Sequence, residues 1–291
     1  MGASTPARNV TALLAFLAAT LAGGADFAGG YASRFANGIR VAVFAQVVGL
    51  AFALPLAIAY GSERLGAADV TWSLLAGIAA ACGFGCFYSA MGRGLITVVA
   101  PVSAVMTAII PVGYALARGE RPGTPAQIGL VVALVAVIVV SVAPGKQDAA
   151  AGALDRGVLA LSLASGLFFG LFLIAFSRVS EQAGMWPVTL ERLAAAATLV
   201  VLALALTRGP VEGVRRLLPY VLAIGAIDLI ASVLVLLALQ RGPVAIASVF
   251  ASLYPVTTVL LAGAILRERL SRLQYVGVVC ALVAVAVVSS G

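Results

Sequence analysis

The chain has 291 residues, 63% of them hydrophobic and 10% charged, with a mean hydropathy of +1.13. A soluble domain carries about 25% charged residues, so the composition excludes a water-soluble globular protein and leaves no stretch polar enough for a separate soluble domain. The net charge of +7 is spread over short connecting segments, so it reads as topology information for a lipid bilayer and not as a nucleic-acid patch.

Apolar runs of roughly 20 residues, enough to cross a ~30 Å hydrocarbon core, recur from end to end. The first begins near Val10 after Arg8 alone, is longer than the apolar part of a signal peptide, and carries Asp26 in a Gly-rich tail. It is expected to remain as the first membrane helix. Ten spans are predicted, at 9–31, 39–60, 70–92, 94–117, 125–143, 157–179, 185–207, 217–240, 243–266 and 272–290. Turn chemistry marks the breaks: Asn37-Gly38 before the second span, Gly61-Ser62-Glu63-Arg64 after it, Gly119 to Pro125 after the fourth, Gly209-Pro210 after the seventh. Backbone groups in lipid must be satisfied internally, so each span is a helix. The longest polar stretch, Pro144 to Gly157, divides a first half (1–143) from a second (157–291), with 144–156 as linker. There is no His, and Cys82, Cys86 and Cys280 are scattered through apolar segments, so neither a metal site nor a disulfide framework is expected, and no cofactor.

The two halves repeat. Arg241-Gly242, Glu268-Arg269, Gly277 and the closing run VVCALVAVAVVSS are answered, 148 positions upstream and without a gap, by Arg93-Gly94, Glu120-Arg121, Gly129 and LVVALVAVIVVSV. Earlier helices agree through Ser33-Arg34 and Ser177-Arg178 at an offset of 144, whereas Arg40 and Arg192 pair only after an insertion. Five spans per half is an odd number, so the second half enters the membrane from the opposite side. The expected architecture is an all-α integral membrane protein of ten transmembrane helices in two inverted five-helix repeats, an arrangement that serves secondary transport by alternating access. Counting Lys and Arg sets Arg8, Arg64, Arg118, Arg121, Arg178 and Arg241 on the face of the termini against a larger set that includes Arg34, Arg40, Arg93, Arg215 and Arg216. That bias places both termini outside the cytoplasm.

Ala238-Leu239-Gln240-Arg241-Gly242-Pro243, Tyr254-Pro255, Leu266-Arg267-Glu268-Arg269-Leu270 and, in the first half, Gly119-Glu120-Arg121-Pro122 resemble the pattern of EamA-type ten-helix exporters of the drug/metabolite transporter superfamily. The resemblance covers essentially the whole chain and is strongest to the YddG group of bacterial exporters of aromatic and other amino acids. It implies a multi-pass protein of the bacterial inner membrane with a small-molecule substrate. One departure stands out: the first half has Thr107 where the second has Pro255, with Pro101 and Pro111 instead, so the fourth helices of the halves are expected to bend differently.

Ionisable residues inside membrane spans are costly and serve as functional hypotheses. Asp26 aligns with Gly170 and Asp228 with Ala80, so neither has an acidic repeat mate. Either carboxylate is a site for a proton or a substrate ammonium, or a group satisfied within the bundle beside glycines that permit close packing. Glu191-Arg192 and Arg40 near span starts read as snorkelling groups or an interhelical ion pair. Glu120 and Glu268 read as partners of neighbouring loop cations. The remaining substrate-site candidates are aromatic, hydroxyl and thioether groups at mid-depth: Phe84 and Tyr88, Ser103, Met106 and Thr107, Phe169, and Phe250, Ser252 and Tyr254. Helical packing accounts equally for the aromatic stripes, while Tyr254 gains weight from the proline that follows it, which interrupts its helix. Trp72 and Trp186 sit where interfacial anchors belong.

Three functions follow: an exporter of small metabolites, by resemblance amino acids, with drugs, nucleobases or other organic solutes as alternatives; a sugar-phosphate or nucleotide-sugar exchanger; and a membrane enzyme. The second needs buried cations for phosphate, and mid-span cations are not evident, Lys146 being the only lysine. The third lacks a nucleophile–base arrangement. Because both halves of a pathway lie in one chain, a monomer suffices.

Overall fold

The computed structural model describes residues 5–93, 96–121, 156–207 and 214–267, with scattered positions in 124–139 and 272–287. The described elements are helical: α1 (Thr5–Ala32), α2 (Gly38–Tyr60), α3 (Ala67–Met91), α4 (Ile96–Ala117), α5 (Arg156–Phe176), a 3-10 turn (Glu181–Ala183), α6 (Trp186–Leu206), α7 (Val214–Arg241), α8 (Val244–Ala251) and α9 (Tyr254–Ile265). Among the described residues, eight helical segments are long and apolar enough to cross a membrane, α8 and α9 together forming one of them. They coincide with the first to fourth and sixth to ninth predicted spans. The fifth and tenth spans, and the linker at 144–156, fall largely outside the described residues.

Local chemistry sets the helix ends. Asn37 caps α2, its side-chain oxygen accepting from the N–H groups of Ile39 (3.0 Å) and Arg40 (3.4 Å). Gly61 stops the same helix at φ 64°, a left-handed conformation that costs a glycine nothing. Pro255 stands in the first turn of α9, where its missing N–H is no loss. The expected difference between the fourth helices is present: α4 runs unbroken through Pro101 and Pro111, while its counterpart is split between α8 and α9 at Ser252-Leu253.

The most extensive helix contacts all join the first half of the chain to the second. Taking α1/α5, α2/α6, α3/α7 and α4/α8–α9 as repeat mates, α1 against α7 is mirrored by α5 against α3, and α2 against α7 by α6 against α3. Small residues permit these approaches. A Cβ on Gly77 would run into the Glu191 carbonyl and the Ala194 side chain; one on Gly225 would meet the Ala45 carbonyl and Val48. That register sets Gln46, and not Arg40, opposite Arg192 as its mate. The pairing by insertion is therefore corrected, because the helix contacts set the register and charge similarity does not. Gly77→Val is expected to lower stability by roughly 1–3 kcal/mol through overpacking, read as a fall in melting temperature in detergent.

Outward faces are apolar, Leu204 being 80% and Val201 64% exposed, as lipid-facing positions require. Glu120 departs from expectation. Its carboxylate accepts from the N–H groups of Val244 (3.0 Å) and Ala245 (3.1 Å) at the start of α8. Four N–H groups at a helix start lack intrahelical partners, and a carboxylate also meets the favourable end of the helix dipole. It therefore caps a helix of the opposite half, and among the described residues no ion pair joins it to a loop cation. Glu268, its repeat mate, lies outside the described residues. Glu120→Ala is expected to cost about 1–2 kcal/mol, measurable as a lowered melting temperature that Glu120→Gln only partly restores.

Candidate functional site

A cavity of about 90 Å³ lies where α1, α3, α4, α5, α6, α7, α8 and α9 converge, with walls that include Asp26, Phe84, Thr107, Phe169, Phe172, Glu191, Asp228, Ser232 and Tyr254. Such a volume holds on the order of six to nine waters. Six of the candidate site residues from the sequence therefore come together here: Asp26, Phe84, Thr107, Phe169, Asp228 and Tyr254. Tyr88, Ser103, Met106, Phe250 and Ser252 are not among the wall residues.

Each of those five has a packing role. Tyr88 is buried against Phe84 and Phe87, at ring separations of 5.7 and 6.0 Å, and its ring fills the space beside Gly29. The Ser103 hydroxyl pairs with that of Ser165 at 3.1 Å, and Met106 abuts Gly166, which together draw α4 onto α5. Phe250 is fully buried in the core. The Ser252 hydroxyl donates to the Val249 carbonyl at 2.7 Å beside the α8–α9 break.

Asp228 is not alone. Arg192 Nη1 donates to Asp228 Oδ2 (2.5 Å) and to Gln46 Oε1 (2.6 Å), while Nη2 donates to the Asp228 carbonyl (3.0 Å) and to the Ser232 hydroxyl. Nε lies 3.3 Å from Glu191 Oε2, an ion pair outside hydrogen-bonding geometry. Arg192 is 1% exposed, so the snorkelling reading is excluded and the interhelical ion pair is the one realised. The expectation that no cation lies deep within the bundle is corrected as well, since Arg192 is buried there from the second turn of α6. A guanidinium has five N–H donors in a fixed plane; here the four on Nη1 and Nη2 meet acceptors on α2 and α7, while Nε has the Glu191 carboxylate of α6 beside it as a counter-charge only. Glu191 was conspicuous as an ionisable group but read as a snorkelling or ion-paired one, and it lines the cavity; Gln46 and Ser232 had no sequence signal strong enough to join the site, a buried amide in an apolar span being the nearest to one.

Asp26 is in a different state. It is buried, lines the cavity, and among the described residues its carboxylate makes no hydrogen bond or ion pair. The charge on Asp228 acts on it. The surrounding glycines serve packing: Gly23 lies against the Tyr254 carbonyl and Thr258, whose hydroxyl donates to the Gly23 carbonyl at 3.0 Å, and Gly30 lies against Met91. Tyr254 projects its ring edge-to-face on Phe87 at 6.0 Å. Its buried hydroxyl lies near those of Ser103 and Thr107, without a partner in bonding geometry. Phe84 meets Phe169 edge-to-face at 5.0 Å. An aromatic enclosure with few polar groups suits an apolar body whose orientation is fixed by one charge and one hydroxyl.

Two aromatic seams flank this centre. Tyr220 at the start of α7 packs against Tyr31 and Phe35 at the end of α1, each at 5.7 Å. Trp72, which holds the corresponding place at the start of α3, lies under the Arg178 guanidinium, 5.7 Å away just past the end of α5.

A bundle of apolar helices interleaved between two halves around a small central cavity defines a multi-pass membrane protein of the transporter class. The profile of the EamA-like transporter family matches twice, at residues 9–142 and 156–290. The chain belongs to the EamA-like transporter family, whose members are membrane transporters of small solutes. Among solved structures 27 chains match. One, described as the crystal structure of a protein, is similar over 95% of each chain with a TM-score of 0.70 at 18% identity, a likeness of fold. No curated protein matches.

Proposed function

We propose that this protein is a secondary transporter of ten membrane helices in two inverted five-helix repeats, exporting small solutes that carry an ammonium group, amino acids including aromatic ones first among them. The observation that carries this reading is the Asp26 carboxylate, without a pairing group among the described residues, set among Phe84, Phe169, Phe172 and Tyr254 in the central cavity. Charge at that depth is costly unless compensated, and a substrate ammonium compensates it. Alternating access draws support from the seams. Helices α1 to α3 cross in succession, so the end of α1 and the start of α3 lie on opposite faces. Tyr220 stands on the first of these and Arg178 on the second, which is where inverted mates belong.

In this reading the linker joins repeats at 1–143 and 157–291, the protein acts as a monomer in a bacterial inner membrane with its termini outside the cytoplasm, and the solute leaves chemically unchanged. A sugar-phosphate or nucleotide-sugar exchanger is less well supported, since phosphate needs cations free to bind it and Arg192 is committed to Asp228, Gln46 and Ser232.

The test is uptake of labelled amino acids into proteoliposomes preloaded with unlabelled solutes, with and without a pH gradient. Uptake driven by the solute gradient alone is the expected result for a facilitated carrier. Uptake only with the pH gradient assigns proton coupling to Asp26 or Asp228. No uptake of any amino acid by folded protein would refute the amino-acid reading and direct the search to drugs and nucleobases.

A further inference from the structure

We infer that the central cavity recognises its solute as an organic monocation, an apolar amine, and makes no place for the carboxylate of an amino acid. The inference rests on the reading of this cavity as the transport site for ammonium-bearing solutes and, within that class, sets amines without a carboxylate ahead of the amino acids named above. Three acidic side chains line the cavity, Asp26, Glu191 and Asp228. Arg192 is the one buried cation among the described residues, and its donors are taken by Asp228, Gln46 and Ser232, with Glu191 at 3.3 Å. A carboxylate entering the cavity would meet like charge and no free guanidinium.

The helix start at the α8–α9 break offers fewer donors than a regular one. Pro255 has no N–H, and the Val256 N–H is spent on the Leu253 carbonyl at 3.0 Å. What remains are neutral hydroxyls: that of Tyr254, buried and without a partner among the described residues, and that of Ser232, whose oxygen already accepts from Arg192. Desolvating a carboxylate against two neutral hydroxyls leaves most of its charge uncompensated. An ammonium meets the opposite situation: among the described residues the Asp26 carboxylate lacks a partner, and Phe84, Phe169 and Phe172 line the cavity with aromatic rings, a surrounding that attracts cations. Room for on the order of six to nine waters suits a compact molecule.

The deciding experiment measures binding of three isosteric probes to the purified protein in lipid nanodiscs: phenethylamine, phenylalanine and 3-phenylpropionate. Phenethylamine is expected to bind about tenfold or more tightly than phenylalanine, the consequence of one uncompensated charge worth at least about 1.4 kcal/mol, with no binding of the propionate. Asp26→Asn is expected to remove phenethylamine binding while the melting temperature is retained. Phe172→Leu, which leaves the carboxylate in place, is expected to weaken it. Phenylalanine binding as tight as or tighter than phenethylamine would overturn the inference and leave the transport reading intact. Phenethylamine binding unchanged in both Asp26→Asn and Phe172→Leu would also overturn it, since the amine would then sit elsewhere. Failure of all three probes to bind folded protein would overturn both.

Discussion

Asp228→Ala is expected to destabilise the protein by about 3–5 kcal/mol, because it leaves the Arg192 guanidinium charged, buried and short of its counter-ion. Nη1 keeps only Gln46 and Nη2 keeps the backbone carbonyl and Ser232, which satisfy hydrogen bonds and not charge. Arg192→Met is expected to do comparable damage from the other side, leaving Asp228 and Glu191 without a cation. The double variant Arg192→Met/Asp228→Ala removes the pair together and is expected to recover a large share of the loss, since replacing a whole buried ion pair by neutral groups is often tolerated. Thermal unfolding of the four proteins in detergent reads the coupling directly. Simple additivity of the single losses would mean that the pair contributes nothing as a unit.

Asp26→Asn is expected to separate transport from stability. Its carboxylate makes no hydrogen bond or ion pair among the described residues, so the amide breaks no contact and leaves the melting temperature unchanged or higher. A charge-assisted hydrogen bond to a substrate ammonium is worth about 1.5–3 kcal/mol, so transport of ammonium-bearing solutes is expected to fall by roughly ten- to a hundredfold. Asp228→Asn is expected to lower measured transport further still, but by a different route, through loss of folded carrier. Parallel uptake and melting measurements distinguish the two. Native transport by a stable Asp26→Asn protein would remove this carboxylate from substrate recognition.

Several parts of the site were legible before any coordinates. Asp26 and Asp228 stood out because an ionisable group in an apolar run is rare, and Tyr254 because Pro255 interrupts its helix. What composition conceals is which neighbour satisfies which group. Both carboxylates read alike in the chain, yet one is paired with Arg192 and the other is not, because α6 carries Arg192 toward α7 and away from α1. Arg192 itself lies in the second turn of α6, a place from which a long side chain reaches the headgroups as readily as the core. Packing decided it: Gly77 and Gly225 bring α3 onto α6 and α7 onto α2, which closes the outward route. Glu120 shows the same limit, since nothing local announces that a loop carboxylate will cap a helix 124 positions away.

The sequence by itself determined the environment, the helical spans, the duplication and the family. Each of these is recorded in local composition or in periodic spacing, and in a bilayer the need to satisfy the backbone within each span makes local pattern decisive. Only the tertiary structure decided which charges neutralise one another, which residues line the cavity and which merely pack beside it. Those outcomes depend on contacts between helices from opposite halves of the chain, whose register is set by the close approach of small residues and by hydrogen bonds across the bundle.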